Sequence, residues 1–378
     1  MDFGFTEEQD LLRVEVRKFL DARAPMSEVR RLAATRAGHS PELWQELARL
    51  GWLGLIIPSD YGGAELTWVD FVVLLEETGR SLFPSPLVST TLAASAIATE
   101  GSEAQKQRYL PGLADGSRIG TVALLEQDAL LGPEGVTLAA SRDGDGYVLR
   151  GEKRYVGDVT SANLFVVSFR TGPAATDVAL GLVEGGTPDV RVVGHRTMDA
   201  TKRMGTLVLE DVRIEDAAVL RGADATGGGW PAIARLLDRG AIAVTAEMVG
   251  AAEGAHALTV RYAKERTQFG APIGKYQGVK HPLAEMYVDL ESMKSLVYFA
   301  AWALDASPDE VPRAASIAKA YASDAFARIG IDSVQLHGAV GYTAEYDVQL
   351  YLKRSKWARP TFGDSDVHYE RVAALGGL

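Results

Sequence analysis

The spacing of apolar positions changes twice along this chain, and each change marks a change of structure. Over residues 5–113 apolar side chains return every three to four positions, the period of helices packed on one side. Helix starts are legible: Thr6 followed by Gln9 makes a capping box, and Ser40 before Pro41 is an N-cap with proline in the first turn. An apolar run at 53–58 leads into Ser59-Asp60-Tyr61-Gly62-Gly63, a turn, before a further helix over 67–80. Near Ser117 the period shortens to two. Val136, Leu138 and Ala140 then face Tyr147 and Leu149 across Asp143-Gly144-Asp145-Gly146, which predicts a hairpin, and more strands are expected over 164–169, 178–183, 190–193 and 206–212. From Gly229 the helical period returns, predicting long helices over 230–266, 277–307 and 310–338; short connections between them imply a bundle. Expected domains are therefore 1–116 (helical), 117–222 (β) and 223–378 (helical), with Ala-Thr-Gly-Gly-Gly at 225–229 as a linker-like run.

Composition narrows the chemistry more than the fold. The 378 residues include no cysteine, which removes disulfides, thiolate nucleophiles, iron-sulfur ligation and cysteine zinc sites together. The six histidines, His39, His195, His256, His281, His337 and His368, are too far apart in sequence to make a paired ligand set on one helix, so no metal site is expected. A net charge of -11 argues against nucleic acid or an anionic lipid surface as partner. No apolar stretch approaches the ~20 residues of a bilayer span, so no membrane insertion is expected. The amino terminus carries no basic start followed by an apolar run, so a cytoplasmic location is expected.

Two segments hold the candidate binding chemistry. Arg266-Thr267-Gln268-Phe269-Gly270-Ala271-Pro272-Ile273 followed by Gln277 lies between two long helices and offers an anion-binding guanidinium, an aromatic ring and an amide. By these residues alone the favoured reading is a helix-ending loop with Phe269 as a core plug and Arg266 solvated. Gln335-Leu336-His337-Gly338-Ala339-Val340-Gly341-Tyr342 places small residues at a helix end, where backbone can approach a ligand or simply cap the helix.

Taken together the chain resembles the acyl-CoA dehydrogenase family over essentially its whole length. The matching residues are Ile57-Pro58 with Gly62-Gly63, Gln105-Lys106 with Tyr109-Leu110-Pro111, Gly151-Glu152-Lys153, Arg-x-x-Phe-Gly-x-x-Ile-x-x-x-Gln from 266 to 277, and Gln335-x-x-Gly338-x-x-Gly341-Tyr342, all in the family's order. The resemblance implies an α+β fold: an N-terminal α-helical domain, a middle β-barrel-like domain and a C-terminal four-helix bundle. It implies FAD as cofactor, an acyl-CoA substrate from fatty acid or steroid side-chain degradation, a tetramer with identical or homologous subunits, and an electron-transfer acceptor. By resemblance Arg266, Phe269 and Gln277, with Gln335, Gly338 and Ala339, hold the pyrophosphate and adenosine half of a neighbouring subunit's flavin. The ring half departs from the family: its Thr-Glu-Pro segment corresponds to Leu125-Glu126-Gln127-Asp128-Ala129-Leu130, and its Trp-Ile-Thr/Ser stretch to Tyr155-Val156-Gly157. Tyr155 keeps a ring able to stack; Gly157 has no side-chain donor.

The family's reaction takes a proton from the α-carbon of a thioester with a glutamate while hydride leaves the β-carbon for the flavin. The two positions at which family members carry that glutamate correspond here to Phe362 and Gly240, neither of which is an acid. Asp238 precedes Arg239 two residues before the second position, and Glu247 lies two turns beyond it on the same helix face; these are the candidate bases. Asp364 stands where the family has a flavin-contacting threonine. Three functions stay open: α,β-dehydrogenation with a relocated base, a non-catalytic partner subunit that donates only the adenosine half of the site, and a flavin reaction such as reduction or oxygenation that needs no such base.

Overall fold

The computed structural model describes residues 4–222 and 228–377. The linker-like run at 225–229 therefore lies largely outside the described residues. Among them, six helices come first: α1 (Glu7–Arg23), α2 (Met26–Ala33), α3 (Pro41–Arg49), α4 (Trp68–Arg80), α5 (Leu87–Glu100) and α6 (Glu103–Ala114). Strands follow: β1 (Gly120–Ala123), β2 (Ala139–Asp143), β3 (Gly146–Gly157), β4 (Leu164–Arg170), β5 (Val178–Glu184), β6 (Val190–Gly194), β7 (Met204–Glu215) and β8 (Val219–Leu220). The chain ends in α7 (Gly229–Glu265), α8 (Gln277–Ala306), α9 (Val311–His337), α10 (Val348–Ala358) and α11 (Ser365–Leu375). This is the expected α+β order of helices, sheet and helical bundle. By packing, the chain falls into two compact units, one of Met1–Arg31, Thr67–Phe83 and Ala241–Leu378, the other of Leu32–Leu66 and Pro84–Gly240.

The second unit is built on one sheet in the order β6-β7-β3-β2-β4-β5-β8, with β1 parallel to β4. The expected hairpin is β2–β3, with Arg142 opposite Tyr147 and Ala140 opposite Leu149. Phe165, Val167 and Phe169 of β4, Leu149 of β3 and Leu207 and Leu209 of β7 make its core. The β3–β7 pairing slips between Lys153 and Val156, a bulge that re-aims the residues inside it, Tyr155 among them. Strand β2 begins at Ala139 rather than at Val136, because the N–H groups of Thr137 and Leu138 are taken by the Glu126 carboxylate (2.8 and 2.9 Å) instead of a strand ladder. β1 escaped the periodicity reading because all four of its residues are buried and show no alternation.

In the first unit, α4 and α7 approach closely through glycines. A Cβ at Gly250 would stand 1.7 Å from the Glu76 carbonyl oxygen, one at Gly79 2.2 Å from the Glu247 carbonyl oxygen, and one at Gly254 2.7 Å from the Arg80 carbonyl oxygen. Beside this crossing Glu76 and Glu77 are buried and paired. Arg13 and Tyr298 hold Glu76, while Arg17 and Arg80 hold Glu77 at 2.6 and 3.0 Å. Burial pushes the Glu76 carboxyl above the ordinary range, with Arg13 and Tyr298 opposing. Both expected helix starts are present: Thr6 and Gln9 cap each other reciprocally, and Ser40 accepts from the Leu43 N–H.

If the α4–α7 crossing is set by backbone approach, Gly250→Ala lowers stability by about 3 kcal/mol, the upper end of overpacking costs. Gly62→Ala, at φ +82° with open space around it, should cost only ~1 kcal/mol from backbone strain. Thermal unfolding of both variants measures the difference; equal losses would mean that the close approach carries no special weight.

Candidate functional site

The 266–277 segment is a hairpin that stands out from the bundle. After α7 ends, Thr267–Gln268 pairs antiparallel with Ala271–Pro272, leaving Phe269 and Gly270 at the tip. Both tip residues have positive φ, 50° and 79°, as a two-residue hairpin turn of the primed type requires. Glycine meets that demand freely; phenylalanine does so under strain. Phe269 is 93% exposed, so it is not a core plug. The hairpin supports itself: the Ile273 N–H donates to the Arg266 carbonyl at 2.8 Å, and the Tyr276 hydroxyl reaches the carbonyls of Gln268 and Phe269, each at 3.2 Å. Arg266 and Gln277 are both exposed, and Gln277 opens α8, whose first turn has no side-chain cap.

A stack of rings brings the second segment to the same end of the bundle. His337, the last residue of α9, is buried, and its ring centroid lies 4.4 Å from that of Tyr262 and 5.0 Å from that of Tyr346, which also meets Tyr262 edge-on at 6.2 Å. The Tyr262 hydroxyl donates to the His337 carbonyl at 3.3 Å, and the Tyr262 carbonyl accepts from the Arg266 N–H at 2.8 Å. His337 bonds through Nδ1 to the Ser333 carbonyl, and burial holds its ring below the ordinary histidine range. Gln335, two residues earlier, faces solvent, Gly338 takes φ +63° with open space at its missing Cβ, and Ala339 follows exposed. Segments some seventy residues apart in sequence thus share one surface.

In the second unit the 125–130 and 153–155 segments are knitted together. The Leu125 carbonyl accepts from the Arg154 N–H at 2.8 Å, and the Tyr155 hydroxyl donates to the Gln127 carbonyl at 3.3 Å. Beneath them Lys153 is fully buried. Its ammonium donates to Glu126 at 2.7 Å, to Ser168 at 2.8 Å and to the Leu124 carbonyl at 3.2 Å. Burial pulls Lys153 down to about 8, against the opposing charge of Glu126. Burial pushes the Glu126 carboxyl up, but Lys153 and the Thr137 and Leu138 bonds outweigh it and hold the group below its ordinary range. A cavity of about 200 Å³ opens beside this pair, lined by Gln127, Asp128, Leu130, Glu152 and Arg154 among others.

The candidate acids are buried. Asp238 is 2% exposed and Glu247 3%, and the Glu247 backbone is the surface against which Gly79 packs. Gly240 is a buried turn of α7, and Asp364 serves as the N-cap of α11, accepting from the Val367 N–H at 3.2 Å. Phe362 occupies the loop between α10 and α11 with φ +57°. The periodicity reading passed over what holds that loop. Lys319, fully buried in α9, donates to the carbonyls of Arg359 (2.7 Å) and Gly363 (2.6 Å) and to Ser323 (3.0 Å), and His368 donates from Nε2 to the Phe362 carbonyl at 2.9 Å. Burial pulls Lys319 down to about 7 and His368 to about 4. A lone lysine inside Ala318-Lys319-Ala320 was the available signal, since an alanine-rich helix face has no other use for it. Among the described residues no group of three or more histidine or carboxylate side chains could hold a metal ion, and no helix is long and apolar enough to cross a membrane.

Comparison with known proteins adds the following. The family model for the N-terminal domain of acyl-CoA dehydrogenases matches residues 6–117, and that for the C-terminal domain matches 227–376. The acyl-CoA dehydrogenase IpdE2 of Mycolicibacterium smegmatis is 31% identical over 370 residues, covering 98% of this chain and 99% of its own. Among solved structures, butyryl-CoA dehydrogenase from Megasphaera elsdenii superposes with a TM-score of 0.90 at 27% identity over all of both chains. A chain of the ChsE4-ChsE5 complex from Mycobacterium tuberculosis gives 0.91 at 28%, covering 100% of this chain and 99% of that one.

Burial of His368 has a measurable consequence. Its folded form resists protonation until about pH 4 while an unfolded histidine takes a proton near 6.5, so the unfolded state binds more protons between those values. The stability it contributes is complete above pH 6.5 and is lost as pH falls through 4. His368→Gln should therefore show a shallower loss of thermal stability than the natural protein between pH 6.5 and 4; parallel curves would contradict a buried neutral ring.

Proposed function

The chain belongs to the acyl-CoA dehydrogenase family, a family of flavoproteins, and from that premise we propose that it is a subunit lending the adenosine half of an FAD site to a homologous subunit. The observation that carries this reading is the contrast between two phenylalanines. Phe269 stands 93% exposed at the tip of a self-supporting hairpin, ready for a partner, whereas Phe362 fills the position of an acid.

The donor set fits half of the cofactor. Arg266 supplies a planar fork of N–H donors suited to a diphosphate, and the start of α8, with no side-chain cap and with open space at Gly278, adds backbone donors beside Gln277. Gly338 and Ala339 leave the backbone of the neighbouring turn accessible. The flavin-ring half fits poorly: Leu125 is apolar, and Gly157 brings no hydroxyl. When bound, FAD would accept the hydride of α,β-dehydrogenation of an acyl-CoA thioester; on this reading the homologous subunit supplies the base.

A partner is further supported by exposed apolar residues on α8, on either side of the polar Glu291, Ser292 and Ser295. Val288, Phe299 and Trp302 lie eleven and fourteen residues apart, on one helix face, and all are exposed, with the Phe299 and Trp302 rings stacked at 5.7 Å. That one similar structure is a complex of two named chains, ChsE4 and ChsE5, agrees with a two-subunit arrangement. The competing reading, a self-sufficient dehydrogenase with Glu247 or Asp238 as base, is favoured by one observation: both acids are carboxylates on α7, close to a family base position.

Purified alone, the chain is expected to lack the visible flavin band, and to acquire it when co-purified with a homologous subunit. Phe269→Ala in that complex should weaken flavin retention by ~10-fold, about 1.4 kcal/mol. A chain that is yellow by itself and bleaches with butyryl-CoA under anaerobic conditions would overturn the proposal; loss of that bleaching in Glu247→Gln or in Asp238→Asn would then identify the base.

A further inference from the structure

We infer that Lys319 and His368 are positioning residues which together hold position 362 in the left-handed backbone region. Phe362 has φ +57°, a conformation that a bulky side chain adopts only when its surroundings impose it. The imposing groups come from two helices. Lys319 of α9 spends all three of its N–H donors: on the Arg359 carbonyl at 2.7 Å, on the Gly363 carbonyl at 2.6 Å and on Ser323 at 3.0 Å. His368 of α11 donates to the carbonyl of Phe362 itself at 2.9 Å. A carbonyl only accepts, so the proton must sit on Nε2, and Nδ1 is left without a hydrogen-bond partner among the described residues.

Around this inner pair runs a second set of ties. Arg359 reaches Asp324 at 3.2 Å and the Ser365 hydroxyl at 3.0 Å, and Ser365 donates to Asp324 at 2.9 Å. The Gly363 N–H closes a turn onto the Pro360 carbonyl at 3.1 Å. Every one of the contacts from Lys319 and His368 into the loop falls on backbone. None of these hydrogen bonds uses a side chain of the loop. The clamp is therefore indifferent to what residue 362 carries, and it would present a carboxylate in the same backbone geometry. A buried lysine and a buried histidine spent on one short loop make sense as a device for aiming one side chain.

That this side chain faces the reacting end of an acyl-CoA site rests on the function proposed above, so the test has two separable arms. In the first, p-fluorophenylalanine is placed at position 362 and observed by fluorine NMR. The natural protein and His368→Gln, whose amide can donate to the same carbonyl, are expected to give one narrow line of the same shift. His368→Leu and Lys319→Met are expected to give a broadened or divided line. Unchanged lines in His368→Leu and Lys319→Met would overturn the clamp; should Lys319→Met fail to fold, the His368 pair decides alone.

In the second arm Phe362→Glu is tested for solvent exchange of the α-hydrogen of butyryl-CoA in deuterium oxide, a readout that needs the base and no bound flavin. A gain over the natural protein that is kept in Phe362→Glu with His368→Gln, but falls about tenfold with His368→Leu, supports both the clamp and its place in the site. If the fluorine line responds as expected and Phe362→Glu gains nothing, the clamp stands and the assignment of position 362 to the reacting end falls.

Discussion

The first compact unit depends on two helices meeting with almost nothing between them. Gly250 and Gly254 on α7 and Gly79 on α4 allow backbone to touch backbone, which fixes both the separation and the register of the pair. Such an approach has an electrostatic consequence, because the residues one turn away on α4 are Glu76 and Glu77, and the crossing buries them. Two buried carboxylates are intolerable unless each is matched, so Arg13 and Arg17 from α1 and Arg80 from α4 itself turn inward, and Tyr298 of α8 completes the shell. A buried charge that has one satisfactory arrangement also penalises every shifted register. The glycines set how close the helices come, and the charges set which turn meets which.

That constraint bears on how much of this protein could be read from its sequence. Helix starts such as Thr6 and Ser40 were legible because a cap is a local hydrogen bond between residues three apart. The β2–β3 hairpin was legible because its turn and its alternation lie within fifteen residues. Phe269 was not: the same residues suit a buried plug or an exposed tip, and only the positive φ of the turn and the local grip of Tyr276 decide for exposure. α10 and α11 went unread for a different reason. α10 buries Gln349, Arg354 and Ser355, so its inward face does not look apolar. Lys319 and His368 illustrate the general limit, since a buried polar residue announces a partner but not which of several hundred groups that partner is.

Of the nine non-glycine residues with positive φ among the described residues, three are aromatic and lie in segments that the family resemblance implicates. Tyr155, Phe269 and Phe362 all have positive φ, between 50° and 57°, and each is aromatic, the kind of side chain least suited to that region. Each is held by a different means. A bulge in the β3–β7 pairing bends the chain at Tyr155, a two-residue turn bends it at Phe269, and side-chain donors from α9 and α11 bend it at Phe362. Strain of this kind costs ~1–3 kcal/mol and survives only where the neighbourhood over-determines it. Leu82 shares the same region as part of the core, so what distinguishes the three aromatics is the different means that holds each of them.

On the proposed function, the same anatomy accounts for an adenosine half that is kept beside a ring half that is not. The 266–277 hairpin takes its shape from its own hydrogen bonds and from the Tyr262–His337 stack, none of which involves an acid at 362, 240, 238 or 247. Likewise the loop that carries position 362 is held through backbone carbonyls, so on the proposed function an acid or a phenylalanine there would sit on the same backbone path. The Lys153–Glu126 pair holds the path of the 125–130 segment in the same way, independently of what Leu125 carries. Chemistry carried on side chains over a scaffold held by backbone contacts can be lost one residue at a time. On the proposed function, the features that another chain would use are the exposed ring of Phe269, the exposed Arg266 and the open start of α8, none of which depends on those acid positions.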